Sequence, residues 1–116
     1  MENRNTLYVL IDKTLDPVYG AVQGGHATAE WLIYQYKLKF NKFTNEYEPK
    51  WKWNNDYLVY LKVDIDKWYK MIQEEHCGSY EEFREPDLND KITAIAIHES
   101  GMTDYIKHKI KKEELL

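Results

Sequence analysis

The run Leu7–Asp12, LYVLID, constrains the chain more than any other stretch. Its apolar side chains are continuous instead of alternating, the pattern of a strand covered on both faces, and such a strand needs a layer of structure above and below its sheet. Asp16 then offers an N-cap, and Pro17 brings the fixed φ favoured at a first helical position, so a helix is expected from about Pro17 into the mid-thirties. A buried strand feeding directly into a helix opens a strand–helix–strand crossover, right-handed by the usual chirality.

The remaining elements follow the same logic. YLVYLKV (Tyr57–Val63) and KITAIAI (Lys91–Ile97) are strands, Tyr80–Phe83 a shorter one, and Asp64–His76 an amphipathic helix opened by an acidic cap. The last segment, 100–116, is expected to form a C-terminal helix or tail, helical from about Thr103 with its lysines toward the C-terminal end. The expectation is one domain over residues 1–116, an α/β/α sandwich around a mixed four-stranded sheet. In the first helix, Val18, Val22, Gly25, Ala29, Leu32 and Tyr36 recur at three- and four-residue steps and predict its buried stripe.

Charge narrows the functional classes. The net charge of −4 disfavours indiscriminate nucleic-acid binding, but Met71–Asp90 sets seven acids against the single Arg84, whereas Lys37–Lys70 is lysine-rich. Residues 40–56, FNKFTNEYEPKWKWNND, form an aromatic and basic connection too long for an ordinary loop. Two readings of it stand: a surface that stacks single-stranded bases, or a loop pinned to the body by Trp51 and Trp53. No apolar run reaches membrane-spanning length, and the start MENRNTLYVLIDK lacks a leader's basic start and small-residue cleavage site, which predicts a cytoplasmic protein without membrane attachment. Cys77 is solitary, so neither a disulfide framework nor a cysteine zinc site is expected, and His76, His98 and His108, lacking partners at metal-ligand spacing, are expected to be solvated. Glu81, Glu82 and Glu85 read as a solvated charge run.

The first helix carries a second pattern. Tyr19, Gln23, His26 and Glu30 are separated by four, three and four residues and fall in one narrow strip beside the apolar stripe, close to the carboxyl end of the strand before it, where open α/β sheets place ligands. A helix edge whose histidine bonds a backbone carbonyl fits the same spacing. Glycine in a helix interior costs roughly 0.5–1 kcal/mol relative to alanine, so Gly24 and Gly25 predict a close approach of the helix to the sheet.

AVQGGHA (Ala21–Ala27), directly after a strand and a turn, resembles the A-x-Q-x-x-H-A segment of the archaeal and eukaryotic type of peptidyl-tRNA hydrolase, the type II superfamily. FREPDLNDKITAIAI (Phe83–Ile97) is similar to that family's late segment, where an aspartate lies in a loop and a threonine opens the next apolar strand; Asp87 and Thr93 occupy those places. The resemblance spans nearly the whole chain. It implies hydrolysis of the ester between a peptide and the 3′ ribose of tRNA, with no metal or cofactor. It further implies a site that unites Gln23 and His26 with Asp87 and Thr93, flanked by Tyr19 and Glu30 at the substrate. Where the family has a lysine four residues before the glutamine, this chain has Tyr19, and its glycine–lysine turn is replaced by TLDPVYG. Lys13, in the preceding loop, is the nearest lysine and is expected to fold back over the helix N-terminus as the substitute cation at the substrate.

Three functions follow from this reading. The chain is a peptidyl-tRNA hydrolase with Asp87 and Thr93 in the chemistry and Gln23 and His26 positioning substrate. Or it is a binding module of the same fold for an RNA 3′ end, a nucleotide or a protein partner, with a homodimer as one form. Or it is an enzyme acting on another ester or amide.

Overall fold

The computed structural model describes residues 5–38, 40–41, 46–47 and 57–116, with side chains for 5–35 and 57–116. Both readings of the 40–56 connection lie outside these residues, apart from two short paired strands. The element order is β1 (Thr6–Asp12), α1 (Pro17–Leu38), β2 (Phe40–Asn41), β3 (Glu46–Tyr47), β4 (Tyr57–Val63), α2 (Ile65–Glu74), β5 (Tyr80–Glu85), β6 (Lys91–His98), α3 (Asp104–Ile110) and β7 (Glu114–Leu115). The start signals work as the sequence implies: Asp16 Oδ1 accepts from the Tyr19 backbone N–H at 3.0 Å, and the Asp64 side chain caps α2 through the Lys67 N–H.

The main sheet is mixed and runs in the order β5-β6-β1-β4-β7. β1 and β4 are parallel, as α1 between them requires, and β6 is antiparallel to β1. The expected four strands become five because the tail continues past α3: Leu115 pairs with Leu61 and Glu114 with Lys62, so β7 covers the free edge of β4. The class is α/β. Alternation along β1 sends Leu7, Val9 and Ile11 to one face, where they meet Ala27 and Trp31 of α1. It sends Leu10 to the other face, among Ile65, Trp68 and Ile72 of α2 and Ile106 and Ile110 of α3.

α1 is turned away from its expected stripe. Val18 is 77% exposed, Val22 52% and Leu32 38%, and Gly25 and Ala29 also face solvent. The buried face is Gly20, Gln23, Gly24, Ala27, Trp31 and Gln35. Both faces repeat at three- and four-residue steps, but from Gly20 to Ala27 the inner one is built of small residues and a glutamine, because the helix there lies close to the sheet, with Trp31 filling the space beyond. Gly24 sets that distance: a Cβ there would fall 2.8 Å from Tyr60 Cε2, 3.0 Å from Ile11 Cδ1 and 3.1 Å from Val9 Cγ1. A Cβ on Gly25 would meet nothing within 4 Å, so the close approach expected of both glycines belongs to Gly24 alone.

The two glycines therefore have opposite mutational signs. Gly24→Ala must displace the Tyr60 ring edge and the Ile11 and Val9 methyls, or lift α1 away from them, and is expected to cost about 1–3 kcal/mol. Gly25→Ala meets no obstacle and is expected to stabilise by about 0.5–1 kcal/mol through helix propensity. Thermal melts of the two variants check this, and a Tm lowered by Gly25→Ala would overturn the assignment of faces.

Candidate functional site

α1 lies along β5, and the strip Tyr19, Gln23, His26, Glu30 meets it. The His26 ring stacks on Phe83, centroids 4.7 Å apart and planes 16° from parallel. Glu30 and Glu82 flank Glu81; burial first, then these two charges, push the Glu81 carboxyl up. Gln23, 1% exposed, is bonded at both ends of its amide: Nε2 donates to Glu85 Oε2 at 2.9 Å, and Oε1 accepts from Thr93 Oγ1 at 2.7 Å.

Thr93 reaches α1 because of a local break in the sheet. Phe83 pairs with Ala94 but Arg84 pairs with Ile92, so Thr93 is the extra residue of a β-bulge. The bulge resets the alternation: Ile92 and Ile95 face α2, whereas Ala94 and the Thr93 hydroxyl face α1.

Glu85 was expected to be solvated with Glu81 and Glu82. It is 8% exposed, and its Oε1 accepts the Asp87 backbone N–H at 3.1 Å, capping the short 3₁₀ turn Pro86–Leu88. Glu82 does reach an exposed partner, Arg84, at 2.9 Å. Asn89 and Asp90, with φ of 56° and 58°, turn the chain back into β6. Asp87 itself is exposed on that turn, its charge within electrostatic reach of Tyr19. Partial burial and the charges of Glu85 and Asp87 push the Tyr19 phenol up, so it stays a neutral hydrogen-bond donor at pH 7.

A second polar group sits at the same end of β1. The buried Asp12 carboxylate accepts from the Thr14 N–H (2.9 Å) and hydroxyl (2.8 Å) on Oδ1 and pairs with Lys91 Nζ on Oδ2 at 2.8 Å. Burial alone would raise its pKa; Lys91 and Thr14 outweigh that and hold it below the ordinary carboxylate value. Lys13 takes no part. Its N–H bonds the Val63 carbonyl at 2.9 Å, and its side chain lines a groove with Lys62, Lys112, Glu113 and Glu114.

The structure thus joins Gln23 to Thr93 through a direct bond and to the Asp87 turn through Glu85. Tyr19 feels the charges of Glu85 and Asp87 on this turn, and His26 and Glu30 follow Gln23 by one and two helical turns. Glu85 and Lys91 were missed by sequence reasoning; the signal for Glu85 was its place just before Pro86, an N-cap position. His98, expected to be solvated, is 6% exposed and stacks on Trp31. Its Nδ1 accepts the Ser100 N–H at 3.1 Å and its Nε2 lies 2.5 Å from Asn5 Oδ1, the arrangement of a neutral imidazole, consistent with burial lowering its pKa. His76 and His108 are exposed as expected. Burial pushes the Cys77 thiol up, away from nucleophilic use.

Among the described residues no group of three potential ligands is placed to hold a metal ion, and no helix is long and apolar enough to cross a membrane. No protein-family model matches the chain, and no curated protein matches it in sequence.

Proposed function

We propose that the chain is a divergent peptidyl-tRNA hydrolase of the type II superfamily, cleaving the ester that joins a peptide to the 3′ ribose of tRNA. One observation carries the reading: Gln23 and Thr93, two residues that the resemblance singles out 70 positions apart, meet through a 2.7 Å hydrogen bond beside the Asp87 turn. Both are buried, which makes them positioning residues: they fix the edge of α1 against the bulge and, through Glu85, the turn bearing Asp87. The groups open to a substrate are Asp87, Tyr19 and His26. In this mechanism the Asp87 carboxylate takes a proton from water as the water oxygen bonds to the ester carbonyl carbon. The Tyr19 phenol donates to the developing oxyanion. The ester C–O bond then breaks, the ribose oxygen recovers the proton from Asp87, and the peptide leaves as a carboxylic acid that ionises to its carboxylate, releasing the second water proton to solvent. His26, held flat against Phe83, borders the mouth.

A second reading is favoured by Tyr19 itself. A neutral donor stands where the family carries a cation, and charge-assisted hydrogen bonds are roughly twice as strong as neutral ones. On this reading the same surface holds an RNA 3′ end, a nucleotide or a protein without turnover.

The discriminating experiment is release of peptide from labelled peptidyl-tRNA by wild type, Tyr19→Phe and Tyr19→Lys, with tRNA binding measured in parallel. Hydrolysis predicts slow wild-type turnover, about tenfold lower kcat/KM for Tyr19→Phe and at least about tenfold higher for Tyr19→Lys. Binding without release by all three folded proteins would move the conclusion to the binding module. Neither release nor binding would remove the tRNA-directed reading.

A further inference from the structure

The two helices that follow the parallel strands leave in opposite directions: α1 after β1 packs on one face of the sheet, α2 after β4 on the other. Between two parallel strands whose connections diverge in this way, the carboxyl ends stay uncovered and form the crevice in which open α/β sheets place ligands. Here the crevice is closed at the side by the chain end, because β7 pairs back onto β4. The resulting open groove, about 360 Å³, is lined by Lys13 just after β1, Lys62 near the end of β4, Lys112 and Glu113 between α3 and β7, and Glu114 at the start of β7.

The charges in the groove are not balanced. Glu114 is taken by Lys62 at 3.3 Å, and Glu113 Oε1 accepts from Trp68 Nε1 at 3.0 Å. Lys13 and Lys112 have no ion-pair partner among the described residues. Each is fixed at its backbone, Lys13 by its N–H to Val63 O and Lys112 by its N–H to Lys109 O. The groove's three lysines outnumber its two carboxylates, and two of those lysines are without an ion pair among the described residues, which suits a compact anion with several acceptor oxygens. The volume matches the lower end of small-ligand sites.

We propose that this crevice binds a phosphate group, free or carried by a mononucleotide, at Lys13 and Lys112, with Lys62 held back by its pair with Glu114. The groove shares no lining residue with the Gln23–Glu85–Thr93 cluster, and the proposal does not rest on the hydrolase reading.

The experiment is a titration of the isotope-labelled chain at low ionic strength with inorganic phosphate, adenosine 5′-monophosphate and, as control, adenosine, followed by amide NMR shifts. Saturable shifts confined to Lys13–Thr14, Lys62–Val63 and Lys112–Glu114 are expected for both phosphates and not for adenosine. Equal affinities identify the free phosphate group as the ligand, and tighter binding of the monophosphate identifies the nucleotide. Lys13→Met with Lys112→Met, both exposed in the wild type, should weaken binding at least about tenfold without changing the circular dichroism. Glu114→Gln, which releases Lys62, should tighten it several-fold. No saturable shift up to about 20 mM, the limit of millimolar affinities, shifts centred elsewhere, or unchanged binding by the double variant would overturn the proposal.

Discussion

Gly101→Ala is expected to destabilise the chain by about 3 kcal/mol or more, enough to leave a sizeable unfolded fraction in a protein of ordinary marginal stability. A Cβ at that position would lie 2.0 Å from the Gly78 carbonyl oxygen and 2.5 Å from its carbon. Both atoms are backbone, so no rotamer change relieves the clash; the loop between α2 and β5 must separate from the turn between β6 and α3. That separation breaks the Gly78 N–H to Gly101 O bond at 2.9 Å and strains the neighbouring Ser79 carbonyl, which accepts from both the His98 N–H and Trp31 Nε1, each at 3.0 Å. One methyl group therefore loosens the corner where α1, β6 and β5 meet. Gly78→Ala is the control, since a Cβ there meets nothing within 4 Å; it should stay within about 1 kcal/mol of wild type. Urea unfolding of both variants reads the difference, and a Gly101→Ala protein as stable as Gly78→Ala would show that the two loops are not locked together.

The strands β1, β4 and β6, the caps of α1 and α2, and the strip Tyr19–Gln23–His26–Glu30 were legible in the sequence because each rests on local rules: apolar runs, capping chemistry and helical spacing. What escaped rests on long-range packing. The inner face of α1 is chosen by how closely the helix sits on Val9, Ile11 and Tyr60, and that distance favours Gly20, Gly24 and Ala27 over the larger Val18, Val22 and Leu32. A hydropathy pattern counts those larger residues first and so selects the wrong side. The bulge at Thr93 is a property of pairing between β5 and β6, and no residue type in KITAIAI announces it. Glu85 and His98 are buried because partners arrive from elsewhere, Gln23 from α1 and Asn5 from the chain start. β7 is two residues long, too short for alternation to register.

Asp87→Asn is expected to lower peptide release from peptidyl-tRNA by about 10²–10⁴-fold, the range lost with a general base, while leaving stability within about 0.5 kcal/mol. The stability half follows from the structure: Asp87 is exposed, and its backbone N–H, not its carboxylate, makes the bond to Glu85 Oε1. The activity half follows from the division of labour between the two acids. Glu85 is buried with its oxygens committed to Gln23 and the Asp87 N–H, so it holds the turn and cannot reach a water at the ester. Glu85→Gln gives the converse result, because an amide there points an NH₂ group at one of two N–H donors. It should cost about 1–3 kcal/mol in stability and reduce release only as far as the Asp87 turn shifts. The pair separates base from scaffold. A full wild-type rate in Asp87→Asn would remove Asp87 from the chemistry, and with it the general base on which the proposed hydrolysis rests.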